Sequence, residues 1–398
     1  MKILHTSDWH IGHKLYGHER DEEFEIFAEK VLEIIKTENI ELLLICGDIF
    51  DVAFPSNTSL AYYYKLLTSI VRTSCKYVVI VGGNHDSSST LEAPKEILKY
   101  LNIKVIGNIT DQLEDEIIVY ENEKTAIFAV PFLRNKDIRE TISGANSQER
   151  ATMLRQGIRT HYEQLAEKAK ELKTKGFCTI ATGHLYVNGM QIADEREIHI
   201  GNLASFSRED FPDGFDYWAL GHIHKPQMIS DCEHIRYSGS PIPLSFSEKN
   251  DPKSVIVLET KEDKLVEIRK IAIPHPRRLM FCSGNMLEIR NNLMTQKLSD
   301  FGLRNWVELE ISDIYSDIEL MQQINKLKEE LLNVEILKYQ RIKTNELAPN
   351  SSVWEGKMLN EIKEIDIFER KISNLPEQEK EELLMTFKEL QDLHYHTE

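Results

Sequence analysis

Short apolar runs punctuate the first two-thirds of the chain, and five of them end in a polar motif. KILHT (2–6), ELLLIC (41–46), YVVIV (77–81), CTIAT (178–182) and YWAL (217–220) are brief and mostly rich in β-branched residues, the signal for buried strands. Residues 19–37, 56–72 and 147–175 instead place apolar positions at helical spacing. Strand and helix alternate, which predicts an α/β fold. Two more strands, 253–259 and 265–273, are expected in a second sheet that closes a mixed β-sandwich with helices outside.

Two prolines, in Ile273-Pro274-His275-Pro276-Arg277-Arg278, interrupt regular structure and mark a boundary. Beyond it, strands at 306–312 and 334–342 flank a helix near 316–332, a small α+β unit over 276–345. The remainder, 346–398, changes character. Met358, Leu359, Ile362, Ile365, Phe368, Ile372 and Leu375 recur at helical spacing. Pro376 breaks the run, and Leu383, Leu384, Phe387 and Leu390 mark a second amphipathic helix. The chain therefore divides into 1–275, 276–345 and 346–398.

Composition narrows the picture. A chain of 398 residues is long enough for more than one domain. Its five cysteines stand singly, and Cys46 and Cys178 read as small buried hydrophobes, which fits a reducing compartment. No apolar run approaches the ~20 residues of a membrane span, and the first strand begins at once, so a cytoplasmic protein without membrane association is expected. Forty-eight basic against sixty-five acidic residues leave a net charge of −17, the wrong sign for an autonomous nucleic-acid binder. A partner that supplies grip is expected. No G-x-x-x-x-G-K-[ST] loop occurs, so any ATPase lies in another polypeptide.

The chemistry sits where the five runs end. The motifs are Ser7-Asp8-Trp9-His10, Gly47-Asp48, Gly83-Asn84-His85-Asp86, Gly183-His184 and Gly221-His222-Ile223-His224. In α/β sheets, ligands bind beyond the carboxyl ends of strands, so these polar tips should converge. Two Asp, one Asn and four His without a thiolate suit Mn, Fe or Zn. Asp8 with His10, and His222 with His224, share a face if the backbone is extended. Asp48 follows a glycine, where a tight turn brings a carboxylate close to two ions. Paired cations activate water and clamp an in-line displacement at phosphorus, and His85 is placed to act as a general acid. An isolated loop histidine is ordinarily solvated, and His13, His18, His161 and His275 are read so.

These motifs together resemble the calcineurin-like metallophosphoesterase superfamily. MKILHTSDWHIG (1–12), ALGHIHKPQ (219–227) and YSGSPIPLSFSE (237–248) resemble its SbcD family of bacterial nuclease subunits, and the likeness spans residues 1–275. The resemblance implies one cation on Asp8, His10, Asp48 and His224, and a second on Asp48, Asn84, His184 and His222, with Asp48 bridging and His85 as the acid. It implies two divalent metal ions, Mn2+ foremost, and a DNA phosphodiesterase with double-strand exonuclease and single-strand or hairpin endonuclease activity in end processing, recombination and repair. It also implies an SbcC-type coiled-coil ATPase held by the C-terminal helices, a homodimer within a heterotetramer, and association with the nucleoid. By the same resemblance, 276–345 is a capping domain that positions DNA. Arg277, Arg278 and Arg341 are its candidate contacts, against a plain reading as surface charge. A small-molecule phosphoesterase and a non-catalytic scaffold are the alternatives.

Overall fold

Alternate residues of the central strands face opposite ways, and this divides the core in two. Leu42, Leu44 and Cys46 point into one apolar layer, whereas Leu43 and Ile45 point into another. The chain's computed structural model describes residues 1–138, 147–191, 206–313, 315–342, 380 and 383. In it, two six-stranded sheets stack face to face with helices on their outer sides. The first sheet runs Lys264–Ala272, Ser254–Lys261, Lys2–Thr6, Leu42–Cys46, Tyr77–Val81, Ile103–Ile106. The second runs Gln227–Ile229, Cys232–Tyr237, Tyr217–Gly221, Cys178–His184, Thr125–Phe128, Ile117–Tyr120.

Ile3, Leu44 and Val79 of the first sheet meet Ile127, Ile180 and Ala219 of the second between the layers. Helices Asp21–Glu38 and Asn57–Val71 cover the first sheet through Phe27, Val31, Leu67 and Ile70. Ser56 caps the second of these, its side chain accepting from the Ser59 amide, a bond worth about 1 kcal/mol. Helix Ser147–Thr174 covers the second sheet through Leu154, Ile158, Tyr162 and Leu165. His5 ties the two sheets, its ring nitrogens lying 3.1 Å from Tyr217 Oη and 3.2 Å from Leu220 O.

The strands expected at 253–259 and 265–273 form, but in the first sheet. Ser254–Lys261 pairs antiparallel with Lys2–Thr6, and Lys264–Ala272 pairs antiparallel with it in turn. The five motif-bearing strands are therefore split, three adjacent in the first sheet and two adjacent in the second, parallel within each sheet.

Past the double proline, Leu279–Gly284, Asn305–Ile311 and Val334–Arg341 make a third sheet, wholly parallel, in a βαβαβ order with helices Met286–Met294 and Asp317–Glu330. The first strand and helix of this unit were not anticipated. It owns a core of Ile289, Leu293, Val307, Leu309, Ile324 and Val334, and a smaller cluster of Leu15, Phe246, Leu279 and Trp306 seats it on the preceding residues. Residues 1–341 form one compact unit. The helices expected within 346–398 lie outside the described residues, apart from helical Lys380 and Leu383. Among the described residues no helix is long and apolar enough to cross a membrane.

Candidate metal centre

Parallel neighbours end at the same edge, so the strand tips of both sheets arrive at one place. Lys2–Thr6 leads into Asp8 and His10, Leu42–Cys46 into Asp48, and Tyr77–Val81 into Asn84 and His85. From the facing sheet, Cys178–His184 ends on His184 itself, and Tyr217–Gly221 leads into His222 and His224. All seven expected ligands and His85 come together. Ligand atoms of Asp8, His10 and His224 lie within 4.8 Å of one another, as do those of Asp48, His184 and His222. Asn84 Oδ1 lies 2.9 Å from His184 Nε2 and 3.0 Å from His222 Nδ1.

The backbone that achieves this is not extended, contrary to the same-face reading of Asp-x-His and His-x-His. Asp8, His10, Asp48 and His222 have φ of 53°, 45°, 50° and 99°. Left-handed backbone costs a non-glycine residue about 1–3 kcal/mol, and it persists where surrounding structure holds it. The holding contacts are visible. The amides of Asp8 and His10 donate to Gly47 O and Asp48 O, and Asp8 Oδ1 accepts from His222 N at 2.9 Å. Asp48 Oδ1 accepts from His85 N at 2.9 Å. Gly83 allows close approach, since a Cβ there would lie 2.1 Å from Asp48 Oδ1.

Hydrogen bonds to one nitrogen fix which atom of each ring faces inward. His10 Nδ1 donates to Asp51 Oδ1 at 3.2 Å, His224 Nδ1 to Glu248 Oε1 at 3.2 Å, and His184 Nδ1 to Cys46 O at 3.0 Å. Their Nε2 lone pairs are thereby aimed into the cluster. His184 Nε2 sits 3.2 Å from Asp48 Oδ2 as well as beside Asn84 Oδ1. His10 Nε2 is buried without a hydrogen-bond partner, 3.6 Å from Asp48 Oδ2. Acceptor atoms thus converge on one another, an arrangement relieved by a proton held between them or by a bound cation.

The electrostatics agree. Burial alone would depress His184, but the Asp48 carboxylate outweighs it and pushes the ring up to about 9. Burial would raise Asp48, yet the His184 ring, with His10 and His85, holds it well below the ordinary carboxylate range. Burial and His184 pull His222 down to about 3, keeping it neutral. Mixed carboxylate, amide and imidazole donors fit two divalent cations of the Mn, Fe or Zn kind. Asp8, His10, Asp48, His184 and His222 are buried, whereas Asn84, His85 and His224 form the partly exposed side.

Sequence reasoning missed the supporting carboxylates. Asp51 holds His10, and its carbonyl accepts from His85 Nδ1 at 2.8 Å. Asp86 accepts from the amides of Ile49, Phe50 and Gly83, pinning two motif loops together. Glu248 is wholly buried and pairs with buried Lys253. Asp86 and Glu248 had appeared only as the last residues of Gly83-Asn84-His85-Asp86 and YSGSPIPLSFSE, without a role. Three solvated readings also fail. His161 is buried with Nε2 2.9 Å from Glu116 Oε2, His13 has a buried Nδ1, and the His275 ring lies 3.0 Å from Asp251 O. His18 stays half-buried beside Glu335 at 3.3 Å. Arg277 is neither a surface charge nor a projecting contact. It is buried between Glu22 and Glu23, with its guanidinium 4.0 Å from the Trp306 ring centre. Arg341 pairs with Asp317 at 2.7 Å, and Arg278 is exposed.

Known proteins resemble this chain. The calcineurin-like phosphoesterase family model matches residues 1–226. The chain is 31% identical over 378 residues to the SbcD component of the SbcCD nuclease of Escherichia coli (strain K12), covering 94% of this chain and 93% of that protein. It is 32% identical over 267 residues to the same-named component in Bacillus subtilis (strain 168), covering 66% of each. With that of Rhodobacter capsulatus it shares 33% over 288 residues, covering 69% of this chain and 70% of the relative. The family match holds every strand-end ligand but none of the third sheet, whereas the Escherichia coli likeness runs through nearly the whole chain: the protein belongs to the calcineurin-like phosphoesterases and, among them, to the SbcD family of SbcCD nuclease components.

Proposed function

We propose that this chain is a metal-dependent DNA phosphodiesterase that works with an SbcC-type coiled-coil ATPase. The observation that carries the reading is the position of Asp48. Its Oδ2 lies between His184 Nε2 at 3.2 Å and His10 Nε2 at 3.6 Å, one from each expected ligand set. The relatives' name, as the SbcD part of an SbcCD nuclease, supplies the substrate and partner class.

In this reading Asp8, His10, Asp48 and His224 hold one divalent cation, and Asp48, Asn84, His184 and His222 hold the other, with Mn2+ the expected pair. Cations so placed supply Lewis-acid polarisation of a phosphodiester and a water acidified enough to attack it at neutral pH. The chain's own part is orientation and proton transfer. His85 donates Nδ1–H to Asp51 O, so Nε2 is the atom that delivers a proton to the departing sugar oxygen. The P–O bond to that oxygen breaks as the water oxygen bonds to phosphorus. His85 lies on the partly exposed side, 4.9 Å between ring centres from His10, where a strand of DNA reaches it.

Acidity explains the partner. A net charge of −17 opposes a polyanion, so grip comes from elsewhere. The amphipathic pattern of 346–398 is the surface assigned to the ATPase, and 276–345 to capping the nuclease domain. A homodimer within a heterotetramer, located at the nucleoid, completes the proposal.

The test is cleavage of an end-labelled linear duplex and a hairpin by the purified chain with Mn2+, beside p-nitrophenyl phosphate esters. Cleavage of DNA supports the reading. Ester hydrolysis with DNA left intact, even after an SbcC-type partner is added, would make the protein a small-molecule phosphoesterase. Truncation after about residue 350 should abolish co-purification of the ATPase, and full retention would remove the tail from the interface.

A further inference from the structure

Strand Thr125–Phe128 runs parallel to Cys178–His184, so it too ends at the ligand edge, although it leads into no expected ligand. The segment beyond it crosses to the facing sheet. Phe132 N donates to Gly82 O at 2.8 Å, and the Phe132 ring stands 6.2 Å, centre to centre, from that of His184. This brings Arg134 onto the Gly83-Asn84-His85-Asp86 motif, where its Nη2 donates to Asp86 O at 2.8 Å. The backbone is held there as well. Arg134 N donates to Asp137 Oδ2 at 3.0 Å, and Arg134 O accepts from Asp137 N at 2.9 Å. Arg134 is half-buried, and among the described residues its guanidinium meets that one carbonyl and no carboxylate. A guanidinium carries five N–H donors, so most of them remain to be used. The lysines next to the cluster are already neutralised, Lys253 by Glu248 and Lys225 by Asp251 at 3.5 Å. In a chain of net charge −17, an anchored arginine free of carboxylates beside the cluster is a donor set open to an anion.

We propose that Arg134 grips a second phosphate of the substrate strand, the one on the far side of the nucleotide whose oxygen departs. Asp86, which anchors Arg134, directly follows His85, so the guanidinium stands on the side where His85 protonates the departing oxygen. The scissile phosphate lies on the cations and leaves Arg134 its neighbour. A guanidinium fork matches two oxygens of one phosphate, which a lysine cannot do. Such a contact separates a polynucleotide from a simple phosphate ester, which has no second phosphate to offer. It makes Arg134 a specificity residue. The inference rests on the nuclease reading above, with His85 as the acid.

The test is kcat/KM of the full chain with Mn2+ on three thymidine dinucleotides, with a terminal phosphate on the first nucleotide, on the last, or on neither. The wild type should cleave one of the phosphorylated dinucleotides about 10–100-fold better than the bare one. The end that carries the effect identifies the departing nucleotide. In Arg134→Met this preference, a ratio taken within one enzyme, should vanish. In Arg134→Lys, which keeps the charge and loses the fork, it should shrink, and that variant decides the matter should Arg134→Met fail to fold. A purely structural role would slow all three substrates alike and leave the ratio intact. That result, or a wild type indifferent to both terminal phosphates, overturns the inference. A wild type inert on the dinucleotides and on duplex DNA, even with an SbcC-type partner added, would instead overturn the nuclease reading.

Discussion

Cys46 O accepts the Nδ1–H of His184 at 3.0 Å, and that bond joins the end of a strand in one sheet to the end of a strand in the other. Gly221 lies against the same carbonyl, where an added Cβ would sit 1.9 Å from Cys46 O and 2.9 Å from His184 Nδ1. The neighbour is backbone and cannot swing aside. Gly221→Ala should therefore cost at least the ~1–3 kcal/mol of an overpacked core, and it should lower metal affinity by displacing His184. Thermal unfolding with and without Mn2+ checks this. An unchanged melting temperature would mean that the sheets separate there without penalty.

Arg277 was a candidate DNA contact, and its burial against Glu22, Glu23 and Trp306 makes it a fastening for the third sheet instead. Arg277→Met should destabilise the chain by about 1.5–3 kcal/mol, the range for hydrogen bonds to charged groups. Metal affinity and DNA cleavage should be retained at a temperature where the variant stays folded. Weaker DNA binding with stability intact would return Arg277 to the interface.

What the sequence disclosed and what it concealed divide along physical lines. The ligands were legible because each follows a short apolar run directly, so local pattern alone places it at a strand end. The sheet assignment of 253–273 was not legible. Apolar pattern identifies a strand but not the edge it joins, and Ser254–Lys261 found Lys2–Thr6. Asp51 was invisible, and Asp86 and Glu248 stood in quoted motifs without a role, because a single acidic residue reads as a turn or cap until a fold sets it beside a ring or an amide. His161 and Arg277 were misread because burial of a lone polar residue depends on a distant partner, Glu116 for one and Trp306 for the other. The positive φ of Asp8, His10 and His222 likewise has no local signature, since only packing imposes it.

His184 predicts a pH dependence. Without metal, the Asp48 carboxylate keeps this ring protonated up to about 9, against 6.5 for an ordinary histidine. A raised histidine stabilises the fold fully below the unfolded value and loses that contribution as pH rises through the folded one. Metal-free protein should therefore lose stability between about pH 6.5 and 9. Metal must displace that proton, so Mn2+ affinity at this position should climb over the same window and level off above it. Melting curves and Mn2+ titrations across the range test both signs. Affinity that stays flat across the window would show that the ring is already neutral.

His85→Gln should retain its full complement of metal, because His85 belongs to neither ligand set. Turnover on DNA should drop by the ~10²–10⁴-fold typical of a lost general acid. Metal analysis beside single-turnover cleavage separates the two effects, and unchanged turnover would remove His85 from the mechanism.

Asp48 bears on the central claim most directly, as the carboxylate placed between both halves of the cluster. The decisive measurement is bound Mn2+ and cleavage of an end-labelled duplex, taken together for wild type and Asp48→Ala. The wild-type chain should bind two Mn2+ and cleave the duplex, and the variant should lose both metal and cleavage. DNA cleavage undiminished in Asp48→Ala would contradict that claim.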